Sequence, residues 1–504
     1  MNRVLAYAVG ASCPAEHLLI STLQGLLNRS QPRLFLRLDE HDDRWRDYLT
    51  RRYGLAFTTV DNLPDLLASA REVARGYVLA DPAVPATINA ATVLAAQRDL
   101  LVALPEFEPL LERAGLRCVE SLVGRFHNHP TWRVDEWTFE QFMDRCDPRY
   151  VACLTVSPHE WFGKFAHHIR DLAVARRLFC FELSANPHHA DEFALRDRLM
   201  KRIAPGGVVL GWHTPRDSEA DHLVHASRHG NVVVCCAYAQ NLSFLQHLRP
   251  DRVRIPDMPP VPALDRTKVY VSFILSDGDA LWCCRDFQTG LYLDPARGQV
   301  PVGWAVQPLL LELAPAMLGY YIETATANDC LVASASGVGY SYADLMSAEQ
   351  LEAHLTRTRE NFLQTGYRVL QFYEHPRHLH NPGMHAAGKR RYAARLGDLL
   401  LGVQEGYWAY DPPADEFCDG LVWAQTRFPD NTRSNHVKFE HLAADIREFA
   451  ATHPQRPLFI PVHPYEPEKI GPTRVREIMT ALGGEFVAVR PDHLFALMKE
   501  NHRL

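Results

Sequence analysis

An apolar run, VYVSFIL, gives way to SDGDALW and leaves Asp277 and Asp279 on either side of Gly278. Carboxylates released at a strand end by a glycine turn suit acid/base work, or the binding of a cation or of sugar hydroxyls. The competing reading is an Asx-type turn in which one aspartate caps the next helix. A second carboxylate, Glu374, follows the aromatic run QFY and precedes His375. Poor solvation beside aromatic rings raises a carboxyl pKa, as a general acid requires, while a salt-bridged loop residue is the plainer alternative. His463 sits between Pro461 and Pro464, where a stiff backbone could aim it at a substrate or a metal, or it is a satisfied strand-end histidine.

Asp277, Asp279 and Glu374 are thus the catalytic candidates. Trp304, Glu323, Asn328, Asp329, Ser336, Gly337, Tyr340, Tyr342, His375, Gln425 and His463 are the candidates for substrate contact. Two carboxylates from different strands, facing one cleft, serve glycoside hydrolysis, one protonating the leaving oxygen and the other attacking or activating water. No HExxH or tight His/Asp triplet appears, so no metal ligand set is assigned. No cofactor is expected, and a divalent cation stays open. The stretch SASGVGYSYADL, from Ser334 to Leu345, lacks the third glycine of a dinucleotide loop and reads as a turn at a strand end, its tyrosines either touching ligand or packing the turn.

These residues need a scaffold of strands. Apolar runs begin near Val269, Val302, Leu331, Tyr367, Gly402, Gly420, Leu458 and Phe486, most of them separated by helical stretches. That alternation predicts an α/β fold in which a (β/α)8-like barrel occupies residues 263–504. An open doubly wound sheet has the same periodicity. Upstream, shorter alternations predict an α/β domain over 1–130 and a second over 131–262, and the Pro-rich stretch RIPDMPPVPALDR, Arg254–Arg266, reads as the linker to the barrel-like part.

The 504 residues carry a formal charge of -7 and show no basic stripe, which argues against a nucleic-acid partner. No window is apolar enough for a membrane span, and no clean export signal opens the chain. Eleven cysteines without CxxC read as reduced thiols. Together these point to a cytoplasmic protein of undetermined oligomeric state.

The motif GVGYSYA, with Gly337, Gly339, Tyr340 and Tyr342, resembles the signature of the GxGYxYP family of putative glycoside hydrolases, with Ala343 where the family has proline. VYVSFILSDGDALW resembles the family's SDGDN segment, with Ala280 in place of asparagine. TLQGLLNRSQPRLFLRL and GGVVLGWHTPRDSEADHLVHASRHG resemble its N-terminal segments, so the likeness covers nearly the whole chain. The resemblance implies N-terminal α/β regions ahead of a barrel-like domain that acts on a carbohydrate or glycoconjugate. A non-catalytic carbohydrate-binding or scaffold protein, and a metal-assisted hydrolase or deacetylase, are the competing functions.

Overall fold

The computed structural model describes residues 3–10, 13–157, 167–236, 239–275, 277, 280–373, 383–406, 415–427, 441–464 and 470–503. Nineteen strands are assigned among them. In chain order they are β1 (Arg3–Ala8), β2 (Leu34–Arg37), β3 (Ala56–Val60), β4 (Tyr77–Leu79), β5 (Leu101–Ala103), β6 (Cys118–Ser121), β7 (Tyr150–Cys153), β8 (Phe179–Phe181), β9 (Val208–Gly211) and β10 (Val232–Cys235). Then come β11 (Val269–Leu275), β12 (Val302–Val306), β13 (Asp329–Ala333), β14 (Val369–Phe372), β15 (Gly402–Glu405), β16 (Glu416–Cys418), β17 (Leu421–Gln425), β18 (Leu458–Val462) and β19 (Phe486–Ala488).

The chain divides into two compact units. The first, Met1–Pro250 with Glu312–Met317, holds three parallel sheets of order β2-β1-β3, β5-β4-β6 and β10-β9-β7-β8. The second, Asp251–Leu311 with Leu318–Leu504, holds one sheet of order β16-β17-β15-β14-β13-β12-β11-β18, and β19 also pairs with β11.

The mixed α/β class is as the sequence predicts, and all eight anticipated C-terminal strands are present. The described ladders draw a curled half-barrel rather than a complete (β/α)8 barrel. The physical reason lies at two edges. β11 gives its Val269–Val271 stretch to β19 and its Ile274–Leu275 end to β12, so one strand serves two neighbours on that side. β17 gives its outer edge to the antiparallel β16. β17 and β18 then meet through an isolated bridge, Arg427↔Val462, with Arg427 N donating to Pro461 O at 2.8 Å.

Parallel strands covered on both faces read as continuous apolar runs, and every residue of VYVSFIL in β11 is buried. One face packs on the C-terminal helix Pro491–Arg503: Tyr270, Ile274, Ala305, Cys330, Val332, Val369, Val422 and Ala424 share a core with Leu494, Phe495, Leu497 and Met498. Gly402 is required there, since a Cβ would lie 2.1 Å from Phe495 Cδ1. The helix Ala348–Thr365, which backs the glycine-tyrosine loop, starts at a capping box. Ser347 Oγ accepts from Gln350 N, the Gln350 side chain accepts from Ser347 N, and Gly366 closes the helix in the left-handed region.

Candidate functional site

Side chains two apart along a strand share a face. Continuing the C-terminal-helix face toward the C-terminal strand ends therefore converts the apolar core into a polar layer. Val332 leads to Ser334, Val369 to Gln371, Gly402 to Gln404, Ala424 to Thr426, Ala305 to Gln307, and Phe459 and Pro461 to His463. All of these polar residues are 0–1% exposed. Ser334 Oγ donates to Gln371 Oε1 at 2.9 Å, and Gln404 Nε2 donates to Thr426 Oγ1 at 3.2 Å. Gln371 Nε2 reaches His463 Nδ1 at 3.0 Å. That last bond joins β14 to β18, which share no described ladder, and so marks this face as the concave one.

The His463 ring is neutral, because burial lowers its pKa to about 3. An amide nitrogen can only donate, so Nδ1 accepts and the ring proton sits on Nε2. Two buried atoms of this face, Ser272 Oγ on β11 and Gln404 Oε1, have no hydrogen-bond partner among the described residues. Buried polar atoms without partners cost about 1–3 kcal/mol each and so call for an explanation.

The loop after β13 runs on from Ser334 of this layer. Ser336 holds φ 62° and Gly337 φ 122°. Ser336 N donates to Gln371 O at 2.9 Å, and Ser336 O accepts from His354 Nε2 and Tyr392 Oη, both at 2.9 Å. A Cβ on Gly337 would lie 2.6 Å from Thr358 Oγ1, so this glycine lets the loop lie flat on the helix behind it. Tyr342, Tyr340, Tyr373 and His463 form a continuous run of rings. Tyr340 meets Tyr342 and Tyr373 edge-on at 5.8 and 5.4 Å, and Tyr373 stacks on His463 at 5.9 Å and 12°. Tyr340 and Tyr342 are 3% and 0% exposed, so they build the wall more than they cover its surface.

Asp277 leaves the C-terminal end of β11, the strand that pairs with β18, and is half-buried with φ 63°. The left-handed region is one that aspartate and asparagine tolerate better than other residues with a side chain. Ala280 N donates to Asp277 O at 3.0 Å, just ahead of the helix Leu281–Arg285. Asp279, Glu374 and His375 lie outside the described residues.

The structure thus brings Ser336, Gly337, Tyr340, Tyr342 and His463 to one end of the sheet, with Asp277 at the same end. It takes the others elsewhere. Glu323 and Asn328 belong to the segment that enters β13, and Asp329 opens that strand, which places all three at the opposite, N-terminal end. Asn328 Nδ2 donates to Gly298 O at 2.7 Å. Asp329 accepts from Trp304 Nε1 at 2.7 Å and pairs with Arg297 at 3.0 Å, and Arg297 lies over the Tyr292 ring. Trp304 alternates with Ala305, so it points to the convex face.

Gln425 also points to the convex face, into a buried cluster that the sequence does not announce. Glu405, 1% exposed, accepts from Gln425 Nε2 at 2.9 Å, from Met384 N at 2.5 Å and from Trp423 Nε1, and Lys389 Nζ lies 3.4 Å away. Lys389 also binds Glu416 at 2.8 Å, so it anchors the edge strand β16. The concave glutamines escape a reading based on carboxylates and histidines. Their signal is a glutamine recurring at the ends of WAVQ, VLQF and GVQE, where an all-buried strand would otherwise stay apolar.

Fold and site together define a mixed α/β protein whose curled, mostly parallel sheet carries a polar face with tyrosines beside it at its C-terminal strand ends. The chain belongs to the GxGYxYP family: the model described as GxGYxYP putative glycoside hydrolase C-terminal domain matches residues 267–499, and the family's first, second and third N-terminal domains match 9–72, 74–146 and 148–247. A crystal structure described as a putative hydrolase from Bacteroides thetaiotaomicron is similar to this chain, with a TM-score of 0.84 at 20% identity, over 99% of this chain and 95% of that one. A comparison with curated proteins finds no match.

Proposed function

We propose that the protein is a glycoside hydrolase whose substrate, a carbohydrate or glycoconjugate, binds on the concave face at the C-terminal ends of a barrel-like sheet. The observation that carries this reading is the buried polar layer formed by Ser334, Gln371, Gln404, Thr426 and His463 beside the glycine-tyrosine loop. A sugar ring presents hydroxyls to donors and acceptors at its edge and C–H groups to aromatic rings. The Ser272 hydroxyl on β11 can donate or accept. Asp277, with Asp279 and Glu374, supplies the carboxylates that acid/base cleavage of a glycosidic bond requires. Family membership supports the same class of substrate.

The test is turnover on a panel of aryl glycosides and oligosaccharides by the purified chain and its Asp277→Asn and Glu374→Gln variants. Loss of product in both variants, with their folded spectra unchanged, supports the assignment. Full activity in both overturns it.

A further inference from the structure

A cluster in the first unit lies outside everything assigned above. The segment EADHLVHASRH places His225 and His229 four residues apart. His225 lies in the helix Glu219–Arg228 and His229 caps its C-terminus, so their rings project from one face, with centroids 5.0 Å apart. Asp197 comes from the helix Ala190–Met200. One ligand atom from each of the three lies within 4.8 Å of the other two.

The details favour coordination over plain packing. His225 is 4% exposed, and neither of its ring nitrogens has a hydrogen-bond partner among the described residues. A neutral imidazole has one N–H and one lone pair, so leaving both buried and unmatched is costly. Its nearest ring is Phe193, edge-on at 4.9 Å, which positions the imidazole without satisfying it. His229 Nε2 lies 2.8 Å from Asp197 Oδ1, while Lys201 Nζ holds Asp197 Oδ2 at 2.6 Å. The lysine orients the carboxylate from behind and leaves Oδ1 turned toward the histidines, as outer partners of metal ligands do. The neighbouring His222 is occupied differently, since its Nδ1 lies 2.8 Å from Arg196 Nη2.

We infer that Asp197, His225 and His229 form a binding site for a divalent transition metal of the zinc class, which clips the two helices together. Two imidazoles and one carboxylate match the nitrogen and oxygen donors that zinc takes at about 2.0–2.2 Å, whereas calcium and magnesium prefer all-oxygen shells. Three protein ligands leave one tetrahedral position for water.

The full-length chain, stripped with a chelator and titrated with Zn(II) by calorimetry, tests this. One equivalent binds, the melting temperature rises, and Ca(II) does neither. His225→Ala, His229→Ala and Asp197→Asn each weaken Zn(II) binding at least ~10-fold, as loss of one of three ligands does, while replacing the exposed His188 by Ala leaves it unchanged. Should His225→Ala not fold, the part-exposed Asp197 and His229 variants decide. Absence of a one-equivalent event, or wild-type affinity in the His229 and Asp197 variants, overturns the site. It is independent of the C-terminal sheet, so its failure leaves the proposed hydrolase reading intact.

Discussion

Gln371 and His463, on strands that share no described ladder, are held 3.0 Å apart across the concave face of the sheet. The same amide takes the Ser334 hydroxyl on its oxygen, so one glutamine fixes two other strand ends and the histidine tautomer. Gln371→Leu leaves Ser334 and His463 buried without that partner. The expected cost is about 1–3 kcal/mol in urea unfolding, together with loss of ligand binding. An unchanged midpoint would show that the bond is not formed.

Gly337 is predicted to be intolerant of any side chain. Its φ of 122° and the 2.6 Å approach of an added Cβ to Thr358 Oγ1 both oppose Gly337→Ala. A loss of about 2 kcal/mol or more is expected from strain and clash combined. Gly484→Ala, where a Cβ meets nothing within 4 Å, serves as the control and should be near neutral. Equal melting temperatures for the two variants would refute the steric argument.

Lys389 and Glu405 are 3% and 1% exposed. Lys389→Met removes the cation nearest a buried carboxylate, and breaking a buried pair on one side costs about 3–5 kcal/mol. Because Lys389 also holds Glu416 on β16, the variant should lose amide-exchange protection at residues 416–418 first. Unaltered protection there would place the anchoring of β16 elsewhere.

His354 gives the pH prediction. Burial lowers its pKa from 6.5 to about 4, although its bond to Ser336 O works in the opposite direction. Between those values the unfolded chain binds a proton that the folded chain does not. The contribution is therefore intact above pH 6.5 and is lost as pH falls toward 4. His354→Gln keeps an N–H for Ser336 O and removes the titration. The stability gap between wild type and variant should shift by up to roughly 3 kcal/mol between pH 7 and pH 4, in the direction that penalises the wild type in acid. Parallel urea-unfolding curves at the two pH values would mean that His354 is not held neutral.

Much of the sheet was legible in the sequence, because parallel strands buried on both faces leave continuous apolar runs such as VYVSFIL and GLVWAQ. The turn after β13 was legible too, since Gly337 and Gly339 mark a backbone that other residues cannot follow. Which end of a strand a loop serves was not legible from its polarity. Glu323, Asn328 and Asp329 are rich in chemistry yet enter β13 from below, and Asp329 is used to hold Trp304 and Arg297. Gln371 and Gln404 looked like ordinary strand residues: Ser334 and Thr426 reach them from neighbouring strands, and only the curl of the sheet brings His463 to Gln371.

The central claim is that the concave face cleaves a glycosidic bond through Asp277. Its most direct measurement is product release from a glycoside panel by wild type and Asp277→Asn, run beside ligand-binding titrations of both. Asparagine tolerates the φ of 63° at this position, so the local backbone should survive the substitution. The account predicts turnover by the wild type, and retained binding with at least ~100-fold slower turnover in the variant, as removal of an acid/base group gives. Equal turnover in the two proteins, or saturable binding by the wild type with no product, would contradict it.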